Sequence, residues 1–250
     1  MSNSDILFSV ITICYNSEKV IRKTIESVLN QTYSNIEYII IDGNSSDNTV
    51  KIAQEYEVDF KSKRYSYKIY SEKDSGIYDG MNKGIRKTSG KLIGLINSGD
   101  WYEPQMVEVA VEKYIQTSYD MFYANINLVK KNGNVIVKRS RKDIFPTSRH
   151  WNHPTTVVTK SLYNELGLYK CEGIHDDFDF LLRVKRAGKK IVIQDSILAN
   201  FAVGGTSNDR SLKKCKKRCL DRYHCYRNNG YGRYCMIECF FIELIKFIIA

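Results

Sequence analysis

The chain has 250 residues, of which 43% are hydrophobic and only 3 are prolines, which excludes a disordered protein and favours one sizeable core with an appendage over two full domains. Its formal net charge of +10 attracts polyanions such as nucleic acid, anionic lipid head groups or phosphorylated substrates, without choosing among them. The chain does not open with a basic flank followed by an apolar run, so we expect no secretory signal. Its seven cysteines cannot all pair within the chain, and we therefore expect free thiols in a reducing cytosol. No run of eighteen apolar residues predicts a transmembrane helix.

The first hundred residues alternate between two apolar patterns. Short β-branched runs predict strands at 8–15, 36–41, 67–70 and 91–96. Apolar residues at helical spacing predict helices at 20–29, 49–56 and 76–88, the last in spite of its glycines. This alternation is typical of a mostly parallel sheet with helices on both faces, so we predict an α/β fold.

Polar clusters follow all four predicted strands, at 15–16, 42–47, 74–79 and 97–100. Ligands of parallel sheets bind beyond the carboxyl ends of the strands. The clusters therefore predict a ligand site at that edge of the sheet.

The pattern changes after residue 120. Predicted strands at 121–129 and 135–139 flank K-N-G-N, a favourable hairpin turn. A helix is expected from about residue 160, and another begins at the acidic cluster 176–179 and ends at Gly188. A strand at 191–193 and a flexible loop at 201–207 precede a basic, cysteine-rich tail.

Three groups of carboxylates have both a functional and a structural interpretation. Asp100 follows a buried strand and can hold a divalent metal against a diphosphate, or cap the next helix. The loop at 42–49 can bind a ligand, but an Asx turn with a helix cap at Asp47 is the stronger interpretation on its own. The repulsion within 176–179 raises a carboxyl pKa in a way that suits a general base, whereas acidic residues also stabilise helix starts.

The histidines and cysteines are weaker candidates for metal ligands than the carboxylates. His153 is expected to be structural and His175 to lie at the surface. Two cysteine pairs, at 215 and 219 and at 235 and 239, are each spaced by one helical turn. A zinc site stays open there, although thiols on helix faces are favoured because no Cys-x-x-Cys spacing occurs.

Together, the order and spacing of these segments resemble the family-two glycosyltransferases of the GT-A type over about residues 8–207. The resemblance rests, in chain order, on S-V-I-T-I-C-Y-N, V-L-N-Q-T-Y, I-I-I-D-G-N-S-S-D-N-T, S-E-K-D-S-G-I-Y-D-G-M-N-K-G-I, G-K-L-I-G-L-I-N-S-G-D-W-Y-E-P, H-P-T-T, H-D-D-F-D-F-L-L-R and F-A-V-G-G-T-S. No single segment is decisive, but the ordered set is highly specific. Within the family the chain is similar to transferases that build O-antigen, capsule or other exopolysaccharide repeat units.

The resemblance implies a role for each matching residue. Tyr15 and Asp42 lie where the family holds uracil and ribose, and Asp74 lies on the nucleotide side of the cleft. Asp100 ends the metal and diphosphate motif, so the implied cofactor is Mn²⁺ or Mg²⁺, and Asp177 matches the base on the acceptor hydroxyl. Further matches are Asn97, Gly204, Gly205 and Ser207 on the donor side, the last three in a loop that closes over the donor, and Asp176 and His153 on the acceptor side.

Two departures from the family pattern fall in the donor half. Gly43 stands where the family often has a second aspartate after the second strand. N-S-G-D replaces the common Asp-x-Asp-Asp, so Gly99, which has no side-chain ligand, occupies the usual metal-binding position. We therefore expect Asp100 to take the metal.

These expectations combine into one hypothesis. A Rossmann-like nucleotide-sugar-binding half at about 1–104 and a smaller acceptor half at about 105–208 form a GT-A catalytic domain. An acceptor oxygen attacks the anomeric carbon opposite the diphosphate, so that an α-linked UDP-sugar donor gives a β-linked hexosyl or N-acetylhexosaminyl product. The alternatives are a non-catalytic sugar-nucleotide or carbohydrate-binding module and, from another class, a nucleic-acid-binding protein. The basic cluster lacks a matching aromatic-rich strand motif or zinc module, so no nucleic-acid partner is predicted.

The tail at 209–250 predicts contact with a membrane. Its basic residues are Lys213, Lys214, Lys216, Lys217 and Arg218, and an apolar stretch follows at 235–250. Basic side chains are attracted to an anionic leaflet and an apolar helix face lies in the interface, so we expect reversible attachment to the inner face of the bacterial cytoplasmic membrane. That suits a sugar acceptor linked to a polyprenyl diphosphate. Packing of the tail on the domain, or a homodimer contact, is the open alternative.

Overall fold

The structure is a computed structural model that describes residues 6–143, 145, 147–204 and 212–249. Within this part of the chain, nine strands form one mixed sheet in the order β3-β2-β1-β4-β8-β6-β9-β5, with β7 paired to β6. The strands are β1 (Phe8–Cys14), β2 (Ile36–Asp42), β3 (Ser66–Ser71), β4 (Leu92–Asn97), β5 (Trp101–Tyr102), β6 (Met121–Val129), β7 (Val135–Lys138), β8 (Val157–Thr159) and β9 (Ile191–Ala202).

Helices cover both faces of this sheet. They are α1 (Ile21–Leu29), α2 (Thr49–Gln54), α3 (Glu57–Ser62), α4 (Ile77–Lys87), α5 (Met106–Thr117), α6 (Lys160–Leu166), α7 (Asp176–Arg186), α8 (Leu212–Asn228) and α9 (Cys235–Ile249), with a 3₁₀ turn at His153–Thr155. Within the described residues, none of them has the length and apolar character needed to cross a bilayer.

The first four strands are parallel, as the alternating pattern predicts. β1 lies between β2 and β4, and every residue of β1 and β2 is buried, which explains their continuous apolar runs. The register pairs Cys14 with Asp42 and Ile13 with Asn97, so the strand ends meet at one edge. The polar clusters that follow these strands consequently converge there.

The second half of the sheet mixes directions, and β9 is longer than the predicted strand at 191–193. It pairs with β6 in parallel along its whole length, with a register shift where Ala124 faces Gln194 but Asn125 faces Ile197. The polar residues at this bulge interrupt the apolar pattern, so the pattern alone does not predict the part of β9 that follows the bulge. Phe201 and Ala202, predicted as loop, belong to β9.

The two glycines inside α4 bring this helix close to the sheet. A Cβ on Gly84 would lie 2.5 Å from Cγ2 of Ile11, and one on Gly80 would lie 3.1 Å from Cγ2 of Ile13. Close backbone approach therefore explains glycine in a helix that its composition disfavours. The helix predicted at 49–56 ends at Gln54, and a further helix that was not predicted follows as α3. Tyr56 between them donates a hydrogen bond of 2.7 Å to Glu26 of α1.

The tail packs against α7, and packing on the domain was the alternative to membrane attachment. The ring of Tyr226 meets that of Phe178 edge to face at 5.2 Å, and Asn229 Nδ2 donates a hydrogen bond of 2.8 Å to Asp179 Oδ1. Arg218 is buried in an ion pair of 2.7 Å with Glu243. Of the basic residues expected to face a membrane, Arg218 therefore holds α8 and α9 together instead.

Candidate active site

The loops after β1 and β2 lock onto each other through Asp42 and Asn16. The fully buried Asp42 carboxylate accepts hydrogen bonds from the Ser45 amide (2.9 Å), the Ser71 hydroxyl (2.6 Å) and the Ser45 hydroxyl. Asn16, which has a positive φ of 46°, accepts the Ser46 amide at 2.9 Å through its side chain. Asp42 thus organises the loop from inside, while Tyr15 leaves the end of β1 with 63% of its surface exposed.

The absence of a side chain at Gly43 lets Asp74 lie against the end of β2. A Cβ at position 43 would lie 2.8 Å from Asp74 Oδ2 and 3.4 Å from Cδ2 of the Tyr15 ring. The other carboxylate oxygen of Asp74, Oδ1, accepts a hydrogen bond of 3.1 Å from the Gly76 amide. The structure therefore brings Tyr15, Asp42 and Asp74 together, and the first departure from the family pattern has a steric reason.

The segment after β4 is anchored to β1 and α1. The Ser98 amide donates to the Ile13 carbonyl at 3.1 Å, and the Ser98 and Ser17 hydroxyls are 2.8 Å apart. The Gly99 amide donates to the Thr24 hydroxyl at 2.9 Å, with a φ of +98° that favours glycine. Backbone geometry thus accounts for the second departure, because a side chain at position 99 would be strained.

Asp100 joins this segment to the end of β9. Its carboxylate is 5% exposed, and its Oδ1 accepts a hydrogen bond of 2.9 Å from the Ala202 amide. Burial raises the pKa of Asp100 to about 7, although the Ala202 hydrogen bond acts in the opposite direction. Asn97 Oδ1, three residues earlier, is buried and accepts no hydrogen bond from the part of the chain that the structure describes.

These two side chains fit one kind of metal site and not another. Across the described ranges, no three His, Cys, Asp or Glu side chains are arranged to hold a metal ion, which does not fit a cage of protein ligands. Mg²⁺ is instead commonly held by one or two carboxylates together with substrate phosphates and water. The buried carboxyl of Asp100 and the Asn97 amide oxygen, which lies three residues earlier in the chain and lacks a donor among the described residues, suit a metal completed by a diphosphate.

On the acceptor side, Asp177 lies at the start of α7 beside Tyr78 and His153. The Tyr78 hydroxyl, which burial gives a raised pKa and keeps protonated, donates to Asp177 Oδ1 at 2.9 Å. Burial lowers the pKa of His153, although the charge of Asp177 acts to raise it, so the imidazole is neutral at pH 7. Its Nε2 is buried and makes no hydrogen bond to the residues described. A partly exposed carboxylate flanked by a phenol and a neutral imidazole can accept a proton from a bound hydroxyl.

The neighbouring carboxylates of α7 have other partners. Asp176 is buried, accepts the Glu172 amide at 2.8 Å, and has a pKa that burial raises. Asp179 is 2% exposed and contacts Lys170 and Arg183, each at 3.0 Å. These two fit the structural interpretation of the acidic cluster, which leaves Asp177 as its partly exposed member.

Sequence reasoning missed two side chains at this site. Tyr78 is part of D-S-G-I-Y, but nothing in that pattern indicates that its hydroxyl reaches Asp177, 99 residues away in the chain. Lys131, in the turn between β6 and β7, has its Cε 2.8 Å from where a Cβ on Gly204 would lie. Gly205 and Ser207, also expected in the donor loop, lie outside the described residues.

The sequence of the chain is similar to a known family and to several curated proteins. The model of the glycosyl transferase family 2 matches residues 9–173. The chain is 32% identical over 193 residues to chondroitin synthase of Escherichia coli, covering 73% of this chain and 27% of that protein. It is 30% identical over 132 residues to the E. coli UDP-Glc:alpha-D-GlcNAc-diphosphoundecaprenol beta-1,3-glucosyltransferase WfgD, covering 52% of this chain and 50% of that protein. The chain thus spans about a quarter to a half of the length of these curated relatives.

Two solved structures share the fold. Residues 1–349 of Staphylococcus aureus TarS, in complex with UDP-GlcNAc, align with a TM-score of 0.69 and 16% identity over 96% of this chain and 72% of that one. The mannosyltransferase PcManGT of Pyrobaculum calidifontis, in complex with GDP-Man and Mn²⁺, aligns with a TM-score of 0.65 and 13% identity over 88% and 61%. The predicted α/β fold of GT-A type is therefore confirmed. The chain belongs to glycosyl transferase family 2.

Proposed function

We propose that the chain is an inverting glycosyltransferase of bacterial surface polysaccharide biosynthesis, such as that of O-antigen or capsule. It transfers one hexosyl or N-acetylhexosaminyl group from a nucleotide-sugar, with UDP as the expected nucleotide, to a saccharide or lipid-linked acceptor and forms a β linkage. The observation that carries the proposal is the hydrogen bond between Asp177 and Tyr78, a residue that follows Asp74 of the nucleotide loops by four positions in the chain.

In the proposed reaction, Asp177 accepts the proton of the acceptor hydroxyl as its oxygen bonds to the anomeric carbon. The bond to the diphosphate breaks on the opposite face, and the nucleoside diphosphate leaves with its electron pair. Tyr78 positions the base through its hydrogen bond. His153 and Asp176 belong to the proposed acceptor side, and the charge of Asp177 acts on the neutral His153 imidazole.

On the donor side, the exposed ring of Tyr15 offers a surface on which a base can stack, and Asp42 holds that loop in place. Asp74, Asn97 and the loop with Gly204, Gly205 and Ser207 complete the proposed nucleotide-sugar site. Asp100, with Asn97, would hold Mn²⁺ or Mg²⁺, which when bound offsets the charge of the departing diphosphate. The bound Mn²⁺ of the Pyrobaculum mannosyltransferase supports this part of the proposal.

The proposed acceptor is a sugar on a polyprenyl diphosphate, used at the cytoplasmic face of the membrane. The diphosphoundecaprenol substrate in the name of the E. coli relative supports this class of acceptor. All seven cysteines are free thiols, which suits a reducing compartment. We propose that α9 attaches the protein to the membrane surface through exposed Ile237, Phe240 and Leu244, which share one helical stripe. Self-association as a homodimer stays a secondary hypothesis.

The test is a transfer assay that screens UDP-sugars and other nucleotide-sugars against a lipid-diphosphate-linked sugar, with the anomeric configuration of the product measured by NMR. We expect transfer from one donor, a β-linked product, and slow donor hydrolysis without acceptor. A protein that binds a nucleotide-sugar but neither transfers nor hydrolyses it would instead be a binding module on the same fold.

A further inference from the structure

A pocket of about 570 Å³ lies between residues of the ranges 141–143 and 147–150, together with Phe145, and the start of α9. Arg141, Lys142, Phe145, Arg149, His150 and Tyr234 line it together with Asp143, Thr147, Cys235 and Glu238. None of these residues belongs to the nucleotide loops or to the Asp177 cluster, so the proposed transfer chemistry does not explain this concavity.

The mouth of the pocket is positively charged. Arg141, Lys142 and Arg149 are exposed, whereas the two carboxylates of the lining are engaged with other side chains. Asp143 Oδ1 lies 2.7 Å from His150 Nδ1 and 3.7 Å from Arg141 Nε, and Glu238 accepts a hydrogen bond from the Tyr226 hydroxyl. The lining thus has three exposed cations and two carboxylates, of which Asp143 contacts Arg141 within the lining itself. It keeps an excess of positive charge, which favours an anion.

The same pocket opens onto an apolar track. Phe145 and Tyr234 are 69% and 56% exposed at its rim. Phe241 and Ile245 follow Glu238 at helical spacing and are 54% and 39% exposed, so they continue the stripe of α9 that begins at the pocket. A cationic mouth that leads to an apolar stripe matches an amphiphile with an anionic head.

The pocket also lies close to the acceptor side of the site. His150 in its lining precedes His153 by three residues, and three residues of chain span at most about 11 Å. His153 is within the electrostatic influence of Asp177. An anionic group in the pocket can therefore carry a sugar towards the base.

We propose that this pocket binds the diphosphate of a polyisoprenyl-diphosphate acceptor, with its first isoprene units along Phe241 and Ile245. The inference rests on the proposed function and deepens it, because it names the surface that recognises the lipid rather than the sugar. Arg141 and Arg149 bind the head group, and the isoprenoid chain of the lipid displaces water from Phe241 and Ile245.

The test measures binding of the full chain to three probes: a sugar-free polyisoprenyl diphosphate in micelles, inorganic pyrophosphate, and phosphatidylglycerol in the same micelles. We expect the polyisoprenyl diphosphate to bind at least about tenfold more tightly than either other probe. The double variant Arg141→Gln/Arg149→Gln and the single variant Phe241→Ser should each weaken it by about tenfold or more. The matched controls on α3, Lys61→Gln and Val58→Ser, change an exposed cation and an exposed apolar residue there, and should bind as the parent does.

Three results would overturn the inference. If pyrophosphate bound as tightly as the polyisoprenyl diphosphate, the apolar track would not contribute to binding. If phosphatidylglycerol bound as tightly, the pocket would be part of a general membrane-binding surface. Unchanged binding by both pocket variants, with melting temperatures like the parent's, would place the lipid elsewhere. Failure of the proposed function is separate: a chain that transfers sugar to no acceptor, yet binds polyisoprenyl diphosphate through this pocket, would refute the transfer reaction and keep the pocket.

Discussion

The hydroxyl of Tyr78 lies 2.9 Å from Oδ1 of Asp177 and donates to it, which joins α4 to α7 across the candidate site. Four residues before Tyr78, Asp74 lies against Gly43 at the nucleotide edge of the sheet. One short segment, 74–78, therefore touches both the proposed nucleotide loops and the proposed base, and it fixes the distance between them.

Replacing Asp177 with Asn keeps the size of the side chain and removes its basicity. We expect the turnover number to fall by about a hundredfold or more, the scale of lost general-base catalysis, while UDP binding stays unchanged. Steady-state kinetics and calorimetric titration with UDP measure the two effects. Asp59→Asn, at an exposed position on α3, is the matched control. Near-normal turnover would move the role to Asp176 or Asp179.

The variant Tyr78→Phe tests whether this tyrosine acts through Asp177. Losing one hydrogen bond to a carboxylate costs on the order of 1–2 kcal/mol, so turnover should fall by about tenfold while donor affinity is kept. In a chain that already carries Asp177→Asn, the same change should have almost no further effect. A full additional loss in the double variant would show that Tyr78 acts on something else.

Gly43→Ala should weaken nucleotide binding because the new methyl group would lie 2.8 Å from Asp74 Oδ2. Either Asp74 or the end of β2 must move, at a cost of about 1–3 kcal/mol, so we expect UDP affinity to drop by about tenfold. Gly173→Ala is the control, because its Cβ would meet nothing nearer than 3.8 Å. Parental UDP affinity in Gly43→Ala would mean that this position of Asp74 is not needed for binding.

The buried carboxyl of Asp100 predicts a pH dependence of stability in chelator. Its pKa is about 7 in the fold and about 3.9 in an unfolded chain, so the protonated form favours folding below about pH 4. This stabilisation is lost as the pH rises to about 7, to an extent on the order of a few kcal/mol. The melting temperature of the parent should therefore fall more between pH 5 and pH 8 than that of Asp100→Asn.

Mn²⁺ or Mg²⁺ with UDP should reduce that difference at pH 8, because a cation favours the charged carboxylate, and chelator should abolish transfer. Equal pH slopes in the parent and in Asp100→Asn would contradict the raised pKa. Full activity in chelator would remove the metal from the proposal and direct attention to protein cations such as Lys131 beside Gly204.

Membrane attachment through α9 is tested by flotation with anionic vesicles. The parent should float at low salt, since exposed lysines near an anionic leaflet contribute about 1 kcal/mol each, and Phe240→Ser/Leu244→Ser should float several-fold less. Val58→Ser controls for general surface polarity. Substitution is preferable to truncation at 209, which would also remove the contacts of Tyr226 and Asn229 with α7. Equal flotation of all three proteins would show that α9 is not the anchor.

Local pattern was enough to predict the parallel half of the sheet. The strands β1, β2 and β4 are almost wholly buried, so their apolar runs carry the signal on every residue. The long β9 was not predictable in full, because its bulge at 194–197 interrupts the pattern that strand recognition needs. The helix α3 was also not predicted, and the contact of Tyr56, just before it, with Glu26 joins residues 30 apart in the chain.

The resemblance to the family named candidate site residues, but it did not indicate which residues they contact. Order and spacing indicated Asp177 and Asp100, yet the hydrogen bond from Ala202 to Asp100 joins residues 102 apart. The ion pair of Arg218 with Glu243 turns part of an apparent basic surface into a buried contact. Such pairings depend on tertiary packing, which composition and spacing do not encode.

Asp179 has a consequence for how relatives of this chain can differ. Its carboxylate contacts Lys170 and Arg183 of the catalytic domain and also Asn229 of the tail. Asp179 lies two residues after the proposed base, Asp177. A chimaera that receives the tail of another family member must therefore also receive a compatible residue at 179, or leave a buried carboxylate short of one donor. Tail and acceptor helix are expected to be inherited as a unit, and homologues that lose the amide at 229 should change residue 179 with it.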